Sequence, residues 1–281
     1  MSVFVTLAEG AETMGAASVF ACRLAKRLNV SVHGITAMPD PAGALLMTGA
    51  GTGLYMAAGA TVIKGVEEAQ EKARTDMEAA FRQVCAAEGM SADAIAVTHL
   101  QGVPEQEIPR KALLADALVF PHECADSSGV YGAAFEYTLM GRRQPVIVAG
   151  EEVDPDLTTV VVAWDGSPEA SHSLRLHEKV ITSADRVVIA QNSEKIDPQD
   201  ENGPENPAIV RDWLEARGVA TTIRSFNGGV ADGLLRMVEE EKAGMLVAGA
   251  FGHSRVEEFI FGGTSRSLLR SENGPALLLA H

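Results

Sequence analysis

With 281 residues, a formal charge of −15 and a pI near 4.9, the chain is long enough for one large domain or two ordinary ones, each with its own core. That charge repels phosphate, so neither a nucleic acid nor a membrane is expected as partner, and the densest basic cluster is only Arg142 and Arg143. Three cysteines, Cys22, Cys85 and Cys124, share no metal-ligand spacing and read as buried thiols of a reducing compartment.

The opening ten residues carry no basic segment followed by a long apolar one, so no export signal is expected and the protein should remain in the cytoplasm. Residues 3–7 are apolar and β-rich, and residues 14–28 place Ala17, Phe20, Ala21, Leu24 and Leu28 at helical spacing. Residues 30–37 alternate toward a second strand. Residues 41–63 hold no charge, yet they are glycine-rich and poor in bulky apolar side chains, so a loop insertion is expected rather than a membrane span. Gly49, Gly51 and Gly53 imitate a dinucleotide fingerprint without completing it. The longest helical pattern spans 64–88, with Val66, Ala69, Ala73, Met77, Ala80, Phe81 and Val84 on one face and Gly89 as its stop. A third strand at 95–100 is followed by a short helix starting near Pro109, a strand at 117–120, a helix at 132–142 and a fifth strand at 145–149. This alternation calls for a parallel sheet covered by helices on both faces.

Residues 151–157, EEVDPDL, read as a short acidic linker, after which the series restarts. A strand is expected at 159–163, a turn at Asp165 and Gly166, an N-cap at Ser167 and the first helical position at Pro168. Further strands are expected at 186–191, 219–226 and 245–248, with helices at 207–217 and 230–242. Residues 5–10 (VTLAEG) fall opposite 162–167 (VAWDGS), and 145–149 (PVIVA) opposite 275–279 (PALLL). The chain therefore reads as a duplication, with one domain over 1–150 and a second over 158–281.

The densest chemical signal lies in 245–269, where an apolar run ends at Gly249 and Gly252, and Gly262, Gly263, Thr264 and Ser265 open a helix. Free amides at such a helix start can hold a phosphate without a lysine. The GxxGx₉G spacing of Gly249, Gly252 and Gly262 resembles the nucleotide loop of the universal stress protein family. Gly263 stands where that family carries Ser or Thr, and the hydroxyl arrives one residue later at Thr264. The whole chain resembles a tandem universal stress protein. The resemblance implies an α/β fold of two similar Rossmann-like domains, each a five-stranded mostly parallel sheet in the order 3-2-1-4-5 with helices on both faces. Ligands of such sheets sit beyond the strands' carboxyl ends, where the order reverses. By the same resemblance Asp165 contacts a nucleoside, Gln191 lies at an adenine contact, and Gly249 and Gly252 admit the sugar and phosphates. Gly262, Gly263, Thr264 and Ser265 would donate to the phosphates of ATP or AMP, taken with Mg²⁺.

Where the second half has Asp165 the first has Ala8, and after its fourth strand the first half continues PHECADSSGVYG without the glycine spacing. A degenerate first domain without this site is therefore expected. Plain structural roles stand beside these readings. Asp165 would shape its turn, the glycine loop would permit close packing, and His253, Arg255, Glu257 and Glu258 would form a solvated loop. His33 and His99 would be satisfied strand residues, and Trp164 and Phe251 core. Three functions remain open: a stress-response regulatory protein binding an adenine nucleotide in its second half, a dimeric scaffold without nucleotide, and a slow ATP hydrolase. In the scaffold, the terminal strands 145–149 and 275–280 would pair across halves or subunits, and a protein partner is expected that the sequence does not identify. With no Walker lysine and no catalytic residue at motif spacing, the binder is favoured and the enzyme ranks last.

Overall fold

The computed structural model describes residues 2–8, 14–41, 56–126, 129–150, 157–195, 206–250, 263–271 and 274–281. In the first half, strands β1 (Ser2–Thr6), β2 (Ser31–Met38), β3 (Ile95–Gln101), β4 (Ala117–Phe120) and β5 (Val146–Val148) alternate with helices. These helices are α1 (Ala16–Leu28), α2 (Met56–Ala87), α3 (Pro104–Lys111) and α4 (Gly129–Glu136), the last running into a π-helical turn at Tyr137–Gly141. The second half has β6 (Thr159–Ala163), β7 (Arg186–Asn192), β8 (Ala220–Phe226), β9 (Met245–Gly249) and β10 (Ala276–Ala280). Its helices are α5 (Pro168–Leu176), the short α6 (Glu178–Ile181), α7 (Ala208–Glu215), α8 (Val230–Glu241) and α9 (Gly263–Leu269).

Each half has the expected strand order, and the two halves form one continuous sheet, β3-β2-β1-β4-β5-β10-β9-β6-β7-β8. All pairings within a half are parallel. Among the described strands the join alone is antiparallel, with Leu277 opposite Val148, Leu278 opposite Ile147 and Leu279 opposite Val146. The strands of the two halves therefore point in opposite directions, and their carboxyl ends lie at opposite edges of the sheet.

Alternation within the strands divides the core into two layers. Val3, Val5, Val160, Val162, Val187 and Ile189 face one layer, shared with α1, α2, α5, α6 and α7. Phe4, Val161, Val188 and Leu246 face the other, shared with α3, α4, α8 and α9. Cross-half polar ties reinforce the seam: Lys179 Nζ lies 2.8 Å from Asp116 Oδ1, and Arg27 donates to Ser183 O at 2.6 Å and to Asp185 Oδ1 at 2.5 Å.

Three local expectations are corrected. The expected insertion at 41–63 is helical from Met56 onward, because the uncharged run MAAGATVI is alanine-rich and joins the helix behind it; residues 42–55 lie outside the described part. Helix α3 starts at Pro104 rather than Pro109, since a proline in the first turn loses no hydrogen bond, and Pro109 is accommodated inside it. The helix expected at 132–142 starts at Gly129 and ends in the π-helical turn. The expected linker falls almost wholly on 151–156, also outside the described residues.

The seam makes the halves one cooperative unit. Leu278, fully buried opposite Ile147, should cost about 2–5 kcal/mol when cut to alanine. Both tryptophans, Trp164 and Trp213, are in the second half, so fluorescence reports that half and circular dichroism both. In urea the two signals should shift together to a lower midpoint for Leu278→Ala; separated transitions would contradict a shared unit.

Candidate functional site

The switch point of the second half lies between β6 and β9, which pair in register from Val160 opposite Met245 to Val162 opposite Val247. Beyond them the strand ends are tied by main-chain bonds: Trp164 N–H donates to Ala190 O, and Ala250 N–H to Ala280 O, each at 2.9 Å. Two side chains that sequence reasoning missed hold these ends, one from α5 and one from its C-cap. Ser173 Oγ donates to Ala248 O and accepts from Ala280 N–H, both at 2.7 Å. His177 Nε2 lies 3.1 Å from Leu279 O, to which it donates, and burial pushes its pKa down to about 4. Their signal was available: a serine and a histidine four apart on the apolar face of a helix point the same way.

Asp165 follows directly and is exposed. Its Oδ1 accepts from Ser167 N–H at 3.0 Å, and Ser167 in turn caps α5, its Oγ accepting from Ala170 N–H at 3.1 Å. Gly249, at the end of β9, lies against the same helical turn: a Cβ there would come within 2.7 Å of Ala170 N and 2.8 Å of Glu169. The missing side chain is thus required by helix packing. Gln191, near the end of β7, is only 5% exposed, and its Nε2 has no hydrogen-bond partner among the described residues. Gly263 and Thr264 are exposed in the first turn of α9, a Cβ at Gly263 would meet nothing within 4 Å among the described residues, and Ser265 is buried. Gly252 and Gly262 lie outside the described residues, as do Phe251, His253, Arg255, Glu257 and Glu258. The structure therefore brings Asp165, Gly249 and the α5 terminus together, with Gln191 on the neighbouring strand.

The first half supplies an internal comparison. Leu7 N–H donates to Ile35 O at 2.9 Å, the counterpart of the Trp164 bond, so Ala8 corresponds to Asp165 and Thr36 to Gln191. Thr36 is satisfied where Gln191 is not. Its Oγ1 lies 2.8 Å from His99 Nδ1, and His99 Nε2 lies 3.2 Å from Glu78 Oε2, which assigns the imidazole proton to Nε2. At the next residue the Tyr131 hydroxyl accepts from Ala37 N–H at 3.2 Å and donates to Ala37 O at 3.4 Å. His33 bonds Thr98 at 2.7 Å and stacks on Phe4, so both strand histidines have structural partners.

The sequence profile of the universal stress protein family matches residues 157–279, the half that carries this crevice. The second half belongs to the universal stress protein family. A universal stress protein of Synechocystis sp. is 25% identical over 153 residues, 54% of this chain and 52% of the relative, so the chain spans about half that relative's length. The crystal structure of a universal stress protein from Archaeoglobus fulgidus aligns with 99% of this chain and 95% of its own at 17% identity, with a TM-score of 0.61, and shows the same fold across both halves. A protein of unknown function from Pseudomonas aeruginosa PAO1 aligns over 99% of this chain and 92% of its own at 13% identity, TM-score 0.54. A universal stress protein solved in complex with cAMP is 26% identical over 44% of this chain and 96% of its own; at a TM-score of 0.34 it places no ligand here. No helix among the described residues is long and apolar enough to cross a membrane, and no group of three His, Cys, Asp or Glu side chains among them is arranged to hold a metal.

Two predictions follow from the geometry of this universal stress protein domain. Gly249→Ala should destabilise the free protein by about 1–3 kcal/mol, because backbone and not a flexible side chain opposes the new methyl group, while Gly263→Ala should leave the urea midpoint unchanged or slightly higher. His177 is neutral in the fold, so its contribution is complete above pH 6.5 and is lost as pH falls from 6.5 through about 4, by on the order of 3 kcal/mol. Urea midpoints measured at pH 7 and pH 4.5 should show a smaller acid loss for His177→Gln than for the wild type.

Proposed function

We propose that the second half binds an adenine nucleotide, ATP or AMP, at the carboxyl ends of β6, β7 and β9, and that the chain acts as a stress-response regulatory protein and not as an enzyme. The observation that carries this reading is the unpartnered, buried Nε2 of Gln191 at a fold position whose counterpart, Thr36, is satisfied internally. A buried donor without an acceptor costs about 1–3 kcal/mol, and a ring nitrogen of adenine would remove that cost. Asp165 is exposed, and its Oδ2 is available to a ribose hydroxyl while Oδ1 keeps the turn. The open first turn of α9, at Gly263 and Thr264, suits a phosphate, and Mg²⁺ would enter on the phosphates, as it does where few protein ligands are offered.

The scaffold reading draws on a different observation: Asp165 and Gly249 already serve the turn and the α5 contact, and both would persist without a ligand. For the hydrolase reading, Asp165 supplies a carboxylate without a second group to orient water.

The readings separate on one variant. Gln191→Leu removes the unpartnered donor, so the free protein should become slightly more stable while its response to ATP with Mg²⁺ falls at least tenfold in affinity. Wild-type protein at a hundredfold excess over its dissociation constant should gain ~2.7 kcal/mol, read as a rise in melting temperature. Absence of any shift with ATP or AMP would leave the scaffold; turnover abolished by Asp165→Ala would restore the enzyme.

A further inference from the structure

The core of the first half holds two thiols in contact. Cys22 of α1 and Cys85 of α2 are fully buried, and their Sγ atoms lie 3.1 Å apart. Two further ties fix the helices in that register. Arg23 Nε and Nη2 donate to the two carboxylate oxygens of Glu88 at 2.9 and 3.2 Å, and Lys26 Nζ donates to Glu88 O at 2.8 Å. Arg23 adjoins Cys22 and Glu88 stands one turn beyond Cys85, so the fork clamps the helices beside the sulfurs. An approach of about 1 Å, within reach of side-chain rotation, closes the gap to disulfide length. Cys124 belongs to the core layer on the opposite face of the sheet and is separated from both.

We propose that Cys22 and Cys85 form a reversible modification site, an intrachain dithiol that a hydroperoxide oxidises to a disulfide and a small thiol reduces. One thiol, as thiolate, attacks a peroxide oxygen; the O–O bond breaks, giving a sulfenic acid and water. The second thiolate attacks the sulfenic sulfur, the S–O bond breaks and a second water leaves. Two thiols thereby lose two electrons and two protons, and one hydrogen peroxide becomes two waters. The hydrogen bond to Cys85 and burial both raise the Cys22 thiol above its ordinary range, so the docked pair reacts slowly and local opening of α2 sets the rate. That opening involves little apolar surface. Among the described side chains of α2 only Met77, Phe81 and Cys85 are buried, one per turn along a single stripe. The bond would close the chain between residues 22 and 85 and fix α2 on the sheet.

The test uses the intact chain. Native protein is treated with hydrogen peroxide, alkylated in denaturant and digested with trypsin. Peptide 1–23 should appear joined to peptide 83–110, two hydrogens lighter than their sum and separated by dithiothreitol, with Cys124 alkylated. Oxidised wild-type protein should melt at a higher temperature than reduced protein, a difference absent from Cys22→Ser and Cys85→Ala. Three free thiols after peroxide, a bridge to Cys124, or sulfinic acid without a cross-link would each overturn the proposal. Peptide mapping needs only the wild type, so a variant that fails to fold does not remove the test.

Discussion

Strands β5 and β10 are short and fully buried, and each would be an apolar sheet edge if its half stood alone. They cover one another, and their antiparallel sense sets the arrangement of everything else. Because the strands of the two halves run in opposite directions, the two switch points lie at opposite ends of the strands. The same join keeps α1 and α2 on one face with α5 to α7, which is why Lys179 and Arg27 can tie the halves across the seam. Each half can therefore change its crevice without disturbing the other, provided the seam is kept.

The two crevices have used that freedom differently. At corresponding positions the first half offers Ala8 and a threonine already bonded to His99, with the Tyr131 hydroxyl bonded to the adjacent main chain. The second half offers an exposed carboxylate and a buried carboxamide whose Nε2 has no acceptor among the described residues. At one end these polar groups are met by neighbouring side chains and main chain, while at the other a buried donor has no partner among the described residues. Ser173 and His177 tie the ends of β9 and β10 beside the second switch point through buried hydrogen bonds.

The fold was legible because its signals are periodic and local. The runs around Val161, Val188 and Leu246 have no polar face, and Ser167 followed by Pro168 marks a helix start that the structure reproduces at that residue. Errors arose where a residue type carries two meanings. Glycine and alanine in an uncharged run suggested a loop at 56–63, whereas alanine's helix propensity extended α2 through it. Pro109 suggested a helix start, whereas Pro104 had already supplied one. The sequence reads as two separate sheets, and the apolar terminal strands alone hint at their merger, because pairing between distant segments leaves no spacing to read. The Cys22 and Cys85 contact was invisible for the same reason: the two are far apart in the chain and meet through helix packing alone.

The residues of the candidate site do not weigh equally as signs of a ligand. Asp165 and Gly249 each have a folding duty, one in the turn and the other against Glu169 and Ala170, so selection for stability alone would retain them. A motif search that counts them as binding residues is therefore also counting the requirements of a strand-to-helix turn. Gln191 and Gly263 have no such duty among the described contacts: the first leaves a donor unmet and the second stands in open space. An unmet buried donor lowers stability, and a glycine at a helix start forgoes the helix propensity of alanine. Costs of this kind persist where function compensates for them, which makes these two residues, rather than the longer glycine pattern, the stronger argument for a ligand.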